Sequence, residues 1–264
     1  MRKRLLFFLF LGWILLLVGD RVDELRVYQG ATLAMYTIGL ASIVLLTGYS
    51  GQVSLGNGAL MAVGGYSAAL SLTKWGAPFW LSFFVAIVVA AFFGAVLGFA
   101  AARLSGPYLA GTTLALAVGL PRLANQFDVL GGEQGIIFDI GMPPARFGEE
   151  FTLYKWYFWI ASLAALVSIF IASNIVYSRF GRTWRAVRGN PLAAELAGVN
   201  AGRTKVLAFT VSSGIAGLAG AVLAMTINLV SPSAFSLALS FSLVTGAVLA
   251  GISSLPGVML GAVI

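Results

Sequence analysis

Long apolar runs separated by short polar segments dominate this chain, and their lengths predict its architecture. A helix needs roughly 20 apolar residues to cross about 30 Å of bilayer hydrocarbon. Runs near that length predict spanning helices at 5–19, 27–47, 53–73, 78–102, 107–125, 152–178, 206–227 and 237–255. None of these runs alternates polar and apolar residues, as the strands of outer-membrane barrels do. The pattern therefore predicts an all-α, polytopic transmembrane bundle of about eight spans.

The first run, 5–19, is the shortest and follows Arg2, Lys3 and Arg4. A charged stretch before a short apolar run also suits a secretory signal peptide. The residues after the run, up to Asp20, lack a small-x-small cleavage pattern, which favours an uncleaved anchor.

Composition agrees with a membrane protein. Hydrophobic residues make up 59% of the 264 residues and charged residues only 9%, and no charge occurs from Val206 to Ile264. A soluble domain has too large a surface for its volume to bury so much apolar area.

The charged residues predict the orientation. Residues 179–205 carry six basic side chains against Glu195, whereas 126–150 carry five acids against Arg146. Because Lys and Arg collect in cytoplasmic loops, we expect 179–205 and the N-terminus inside and 126–150 outside. The overall charge of +7 then reflects topology, and no aromatic-interleaved basic surface suggests nucleic-acid binding.

The chain has few of the residue types that catalysis or metal binding requires. It has no Cys and no His, and its nine carboxylates lie outside the predicted spans. We therefore expect no enzyme, no catalytic residue and no metal site. Many proton-coupled and ion-coupled carriers keep acidic residues or His at membrane depth, so any transport is expected to draw its energy from elsewhere.

Small residues recur at four-residue spacing in two segments. Residues 48–70 place Ser54, Gly58 and Ala62, and also Gly64 and Ala68, in this way, and 212–224 place Ser213, Gly217 and Ala221. Such spacing predicts close helix approach in lipid.

Three uncharged polar side chains near a helix start require a separate explanation, because polar groups at membrane depth must find partners or line a wet cavity. They are Gln52, Ser54 and Asn57. They are candidates for the translocation pathway, and interhelical hydrogen bonding is the alternative.

A short capped helix is predicted inside the basic segment 179–205. Asn190 is a favourable N-cap, Pro191 suits the first helical position, and Gly198 supplies a left-handed stop. Leu192 and Leu196 form one small apolar face. Since a helix this short is unstable alone, it needs lipid headgroups or a soluble partner to pack on.

Six segments follow one another along the chain: "GYSGQVSLGNGAL", "GGYSAAL", "GPYLAGTTLALA", "LGGEQGI", "RTWRAVRGNPLAAELAGVNAGRTKVLAF" and "AGLAGAVLA". In this order they resemble the LivM-type permease subunits of branched-chain amino acid ABC importers. The resemblance implies a single permease domain, 1–264, in a bacterial inner membrane. It also implies a second related permease, two cytoplasmic ATPases that bind ATP and Mg, and a periplasmic solute-binding protein. The chain itself is expected to bind no cofactor and to contact membrane lipid.

The resemblance also assigns a role to the short helix. Ala193 and Ala194 with Gly198 match the coupling motif of importer permeases, although Leu192 replaces its leading acid. The expected ATPase-coupling helix consists of Asn190, Pro191, Leu192, Ala193, Ala194, Glu195, Leu196 and Gly198. Related chains continue beyond "PGVMLGAVI", so a last helix is expected to be missing or lost.

The resemblance leaves the identity of the solute undecided, because Asn57 and Val118 differ from the residues that are usual in this family. A branched-chain amino acid, another amino acid, urea or a small amide all suit the resemblance. A self-contained channel or secondary carrier is the alternative function, and a membrane scaffold is the third.

Overall fold

The computed structural model describes residues 10–15, 17, 19, 21–104, 106–144, 147 and 151–263. The basic residues Arg2, Lys3 and Arg4 and the start of the predicted 5–19 span lie outside this part of the chain. Residues 10–15 are helical.

Helices build nearly all of the described chain. They are α1 (Glu24–Ile43), α2 (Asn57–Trp75), α3 (Phe79–Arg103), α4 (Pro107–Gln126), α5 (Leu153–Tyr177), α6 (Arg179–Gly189), α7 (Pro191–Leu196), α8 (Ala201–Ile227), α9 (Leu237–Leu249) and α10 (Gly257–Gly261). A π-helix, Val44–Tyr49, extends α1. Two short strands, β1 (Ile136–Ile137) and β2 (Leu229–Val230), form one antiparallel pair.

The all-α membrane architecture is confirmed. Five helical segments of the described residues are long and apolar enough to cross a bilayer: Glu24–Tyr49, Phe79–Arg103, Leu153–Tyr177, Ala201–Ile227 and Pro232–Leu249. Helices α2 and α4 are 19 and 20 residues long but less apolar. The total of about eight spans stays a prediction.

Helix α8 lies at the centre of the bundle, packed against α1, α2 and α3. Its central residues, from Ser212 to Val222, are buried on every side. The small residues let backbones touch: a Cβ on Gly64 would overlap the backbone of Gly217, and one on Gly98 would meet Val206 Cα at 2.9 Å. The predicted close packing of small residues is confirmed.

Helix α3 presents its other face to the surroundings of the protein. This face carries large apolar side chains: Trp80, Phe84, Val88, Phe92, Phe93, Val96 and Phe99. Such a face suits lipid acyl chains, which solvate apolar side chains.

The helical conformation is interrupted between α1 and α2, inside the bundle. After the π-helix, residues 50–56 are not helical, and α2 begins only at Asn57 rather than at the predicted 53. Gly51 has a left-handed φ of 74°, and the Ser54 hydroxyl accepts from Gly56 N at 3.3 Å. Serine hydroxyls that bond the local backbone compete with helical hydrogen bonding, which accounts for the late start.

The two ends of the bundle differ in charge. We call the end that carries α6 and α7 the basic end, and the end that carries residues 127–144, whose described charges are Asp128, Glu133 and Asp139, the acidic end. At the acidic end β1 pairs with β2, so that Ile136 lies opposite Val230. Gly131 and Gly132 turn the chain here, both with positive φ.

The last predicted span, 237–255, is shorter in the structure. Helix α9 ends at Leu249, and Gly251 with a φ of 83° turns the chain. Helix α10 follows after Pro256.

Candidate functional site

The basic end is a run of three separately capped helices. The Ser178 side chain accepts from Phe180 N at 3.1 Å at the start of α6. Asn190 Oδ1 accepts from Ala193 N at 3.1 Å at the start of α7, and Asn200 Oδ1 accepts from Arg203 N at 2.8 Å at the start of α8. Each cap satisfies an amide that the first helical turn leaves unpaired. The sequence therefore forces two sharp turns within this segment.

Helix α7 ends as its sequence predicts. Gly198 has a φ of 83°, Val199 N donates to Ala194 O, and Gly198 N donates to Glu195 O, both at 2.9 Å. This pair of bonds is the Schellman arrangement that closes a helix through a left-handed glycine. The predicted short helix, with its N-cap and glycine stop, is confirmed as local structure.

Helix α7 contacts the rest of the chain through one small side chain. Ala194 is 5% exposed and packs with Val187 and Ala201. Leu192 is 74% exposed and Leu196 is 92% exposed. The apolar face that this helix needs for stability is therefore left uncovered by the described chain, at the end of the bundle that carries most basic residues.

Helix α6 holds α7 against the bundle. Its buried residues are Gly181, Trp184 and Val187, which recur every three residues and form one stripe. Trp184 is 1% exposed and belongs to the main hydrophobic core. The arginines of α6 lie beside this stripe and are exposed, so the helix lies with one face on the bundle.

The break between α1 and α2 leads to a buried polar cluster. Asn57 Nδ2 donates to the Ser42 hydroxyl at 2.6 Å, and the Ser212 hydroxyl donates to Ser42 O at 2.9 Å. Ser212 lies near the midpoint of the 27-residue helix α8. The cluster therefore joins α1, α2 and α8 deep in the bundle.

Gln52 and Ser54 lie in the non-helical segment itself and are almost fully buried. Gln52 Nε2 donates to the Ser50 hydroxyl at 2.6 Å and to Lys205 O at 3.3 Å. Gln52 is thus nearer the basic end, and Asn57 is deeper. Non-helical backbone at membrane depth is tolerated only inside protein or beside a water-filled cavity.

Two further contacts hold this segment in place. Leu55 N donates to the Thr113 hydroxyl at 3.0 Å, and Gly58 N donates to the Ser240 hydroxyl at 3.1 Å. The sequence interpretation did not select Ser42, Thr113, Ser212 or Ser240. Serine and threonine recur along these apolar runs, so only knowledge of which helices are neighbours could have grouped these four.

The polar cluster keeps unused hydrogen-bonding capacity. The side-chain oxygens Gln52 Oε1 and Asn57 Oδ1 are buried and lack a partner among the described residues. Buried polar atoms without partners are uncommon in proteins, and such an oxygen can accept from water or from an N–H or O–H donor. A pathway role for Gln52, Ser54 and Asn57 stays a prediction.

Ionised groups avoid the middle of the five long apolar helical segments of the described chain. The described carboxylates, from Asp23 to Glu195, lie in loops or in the terminal turns of helices. Within the described ranges no group of three or more His, Cys, Asp or Glu could hold a metal ion. The arrangement offers amide and hydroxyl groups at depth and charges at both ends.

Comparison with known proteins relates this arrangement to transport. The family described as "Branched-chain amino acid transport system / permease component" matches residues 27–264. The chain is 32% identical over 260 residues to the high-affinity branched-chain amino acid transport system permease protein LivM of Escherichia coli strain K12, a match that covers 89% of this chain and 60% of LivM. The chain therefore spans about 60% of the length of this relative.

Two other relatives cover less of the chain. The permease protein LivH of Escherichia coli strain K12 is 31% identical over 147 residues, which is 56% of this chain and 43% of LivH. The xylose transport system permease protein XylH of the same strain is 33% identical over 110 residues, which is 40% of this chain and 27% of XylH. No solved structure matches the chain.

The family match runs from the start of α1 to the end of the chain, so it includes the helix break, the polar cluster and the basic end together. This chain belongs to the family of permease components of branched-chain amino acid transport systems.

Proposed function

We propose that this chain is the membrane-spanning permease subunit of an ATP-driven ABC importer in a bacterial inner membrane. Its solute is a branched-chain amino acid or a similar small polar molecule. The family match supports the transport role, and the relatives LivM and LivH are named for branched-chain amino acids.

The observation that carries the proposal is the exposed apolar face of α7. Leu192 and Leu196 project from a helix of six residues that is capped at both ends. A helix so short gains stability from packing rather than from its own hydrogen bonds. In this proposal the face fits a groove on an ATPase subunit, and Glu195 meets a basic or polar group there.

The distribution of charge supports an orientation. The basic end, with segment 179–205, lies in the cytoplasm beside two ATPase subunits, and the acidic end, with segment 126–150, lies in the periplasm. A solute-binding protein docks at the acidic end. A second, related permease completes the membrane pathway, and lipid covers apolar faces such as that of α3.

The energy comes from the partner subunits. ATP and Mg bind to the ATPases, and this chain binds no cofactor. The described helices keep no acid near their middle that could relay protons. Closure of the ATPases on α7 is passed through α6 and the helix break to the polar residues Gln52, Ser54 and Asn57, which border the solute path.

Reconstitution tests this function directly. The importer is purified from its native host through a tag on this chain and placed in liposomes, with the solute-binding protein and labelled leucine supplied outside. Leucine uptake should require ATP inside and should stop with vanadate. Unlabelled isoleucine and urea, added in excess, identify the preferred solute class by competition.

The same assay separates the alternative function. Liposomes that contain this chain without ATPase subunits should take up no leucine. If they take up leucine down its gradient without ATP, the chain is a channel or a secondary carrier, and the proposal is wrong.

A further inference from the structure

Arg188 lies in the last turn of α6, three residues before the start of α7 at Pro191, and joins three distant segments of the chain. Its Nη1 donates to the carbonyl oxygen of Gly48, at the end of the π-helix. The same nitrogen donates to the Ser253 hydroxyl at 2.9 Å, in the turn between α9 and α10. The Arg188 guanidinium therefore links α6, the helix before α7, to the end of the π-helix and to the turn between α9 and α10.

The segments fit closely around this side chain. A Cβ on Gly51 would meet Arg188 Cγ at 2.7 Å, so the aliphatic part of the arginine lies directly on the backbone of the break. Gly51 also has a φ of 74°, which L side chains rarely adopt. A Cβ on Gly48 would overlap the carbonyl of Ile252. These two glycines allow the arginine and the α9–α10 turn to reach the break.

The Gly48 carbonyl is exposed to such a donor because the helix stops beside it. The last carbonyls of a helix lack an amide one turn further on. A cationic donor suits this position, since the C-terminal end of a helix carries partial negative charge. Arg188 thus binds the end of the π-helix that extends α1, at the place where the chain leaves the helix for the polar cluster.

The break keeps other hydrogen-bond partners when this contact is removed. The Ser253 hydroxyl also donates to Gly48 O, at 3.2 Å, so the carbonyl keeps a partner without the arginine. Gln52 ties the break separately to Lys205 O. Arg188 is itself exposed on its outer side, and its removal leaves no buried charge. The Arg188 contact connects the break to α6, while the Ser253 hydroxyl already gives the Gly48 carbonyl a hydrogen-bond donor.

We propose that Arg188 is a positioning residue that transmits movement of α7 to the end of the π-helix at Gly48 and to the break at residues 50–56, and through it to Asn57. The inference rests on the proposed function, because it needs an ATPase that moves α7. When α7 is displaced, α6 carries the guanidinium with it and pulls the end of the π-helix. The five residues from Gln52 to Gly56 then shift the start of α2.

The test compares Arg188→Ala with Arg182→Ala and Arg188→Lys in the reconstituted importer. Arg182 is on the same exposed helix, and its side chain makes no hydrogen bond or ion pair among the described residues. We measure ATP hydrolysed and leucine taken up in each variant. Because one charged hydrogen bond is lost, Arg188→Ala should reduce leucine uptake per ATP by about tenfold, with ATPase co-purification unchanged. Arg182→Ala should equal the parent, and Arg188→Lys should recover part of the loss, since an ammonium can donate to the same carbonyl.

A second readout follows the break itself. Val53 is 45% exposed within it, and the chain has no native cysteine. When Arg188 is present, the rate at which a thiol reagent labels Val53→Cys should change when ATP binds. Adding Arg188→Ala to Val53→Cys should abolish that change. Equal uptake per ATP in Arg188→Ala and the parent, or an unaltered ATP response at Val53→Cys, overturns the proposal. Absence of ATP-dependent uptake in the parent would instead count against the proposed function.

Discussion

Gly64 of α2 crosses Gly217 of α8 with no side chain between the two backbones. A Cβ on Gly64 would overlap the backbone of Gly217, whereas a Cβ on Gly217 would overlap Ala86 O and Ala90 Cβ of α3, so these two glycines let α8 lie close to α2 on one side and to α3 on the other. The crossing sets the distance between α8 and the helix that starts at Asn57.

The first prediction tests this crossing with Gly64→Val. Added methyl groups in a tight interface cost about 1–3 kcal/mol, so the unfolding temperature in detergent should fall by several degrees. Gly111→Val is the matched control, because that position is also helical and has nothing within 4 Å. A similar fall in both variants would mean that valine in a helix, rather than the crossing, causes the loss.

The second prediction concerns Asn57. Asn57→Leu should reduce leucine uptake by about tenfold or more, which corresponds to about 1.4 kcal/mol, while the ATPases still co-purify. Ser42→Ala is the companion variant, since it removes the partner of Asn57 Nδ2 but keeps the amide. If Ser42→Ala lowers uptake as much as Asn57→Leu, or if Asn57→Leu fails to assemble, the asparagine serves helix packing and lies off the solute path.

The third prediction tests the face of α7. Leu192→Asp would bury an unpaired charge at the ATPase groove, so ATPase affinity should fall by about a hundredfold, with normal membrane insertion. Leu192→Met keeps the apolar contact and should behave as the parent. Full uptake by Leu192→Asp contradicts the coupling-helix assignment.

The fourth prediction uses the left-handed stop of α7. Gly198→Val forces a β-branched residue to a φ of 83° and should abolish ATPase co-purification or uptake. Gly189→Val is the matched control, since Gly189 has an ordinary helical φ and open space around it. Uptake in Gly198→Val that equals uptake in Gly189→Val would show that the sharp turn is dispensable.

The fifth prediction is the orientation. In intact cells, an impermeant thiol reagent should label Met142→Cys and should leave Gly189→Cys unlabelled. Met142 is 83% exposed at the acidic end, and Gly189 has open space at the basic end. Gly135 is a poor labelling site, because a Cβ there would overlap the carbonyl of Val230. Labelling of Gly189→Cys alone would reverse the assignment of sides.

Periodicity and turn chemistry explain which features could be predicted from sequence. The long helices follow from apolar run length, and α7 follows from Asn190, Pro191 and Gly198, whose local preferences coincide. The start of α2 was predicted four residues early, because hydropathy does not register serine and glycine conformations. Hydrogen bonds between distant segments, such as Arg188 to Gly48 or Asn57 to Ser42, depend on which helices are neighbours, which run length cannot specify.

The pairing of β1 with β2 constrains the order in which the chain can be built. Phe138 N donates to Asn228 O at 3.0 Å, and Tyr157 OH donates to Asn228 Oδ1 at 2.5 Å. Asn228 follows α8, so the ribosome makes it some 90 residues after β1. Phe138 and Tyr157 are therefore synthesised well before their common partner, and they can form these two hydrogen bonds only after α8 has been made. The contacts around Asn228 at this end of the bundle thus belong to a late step in the folding of the chain.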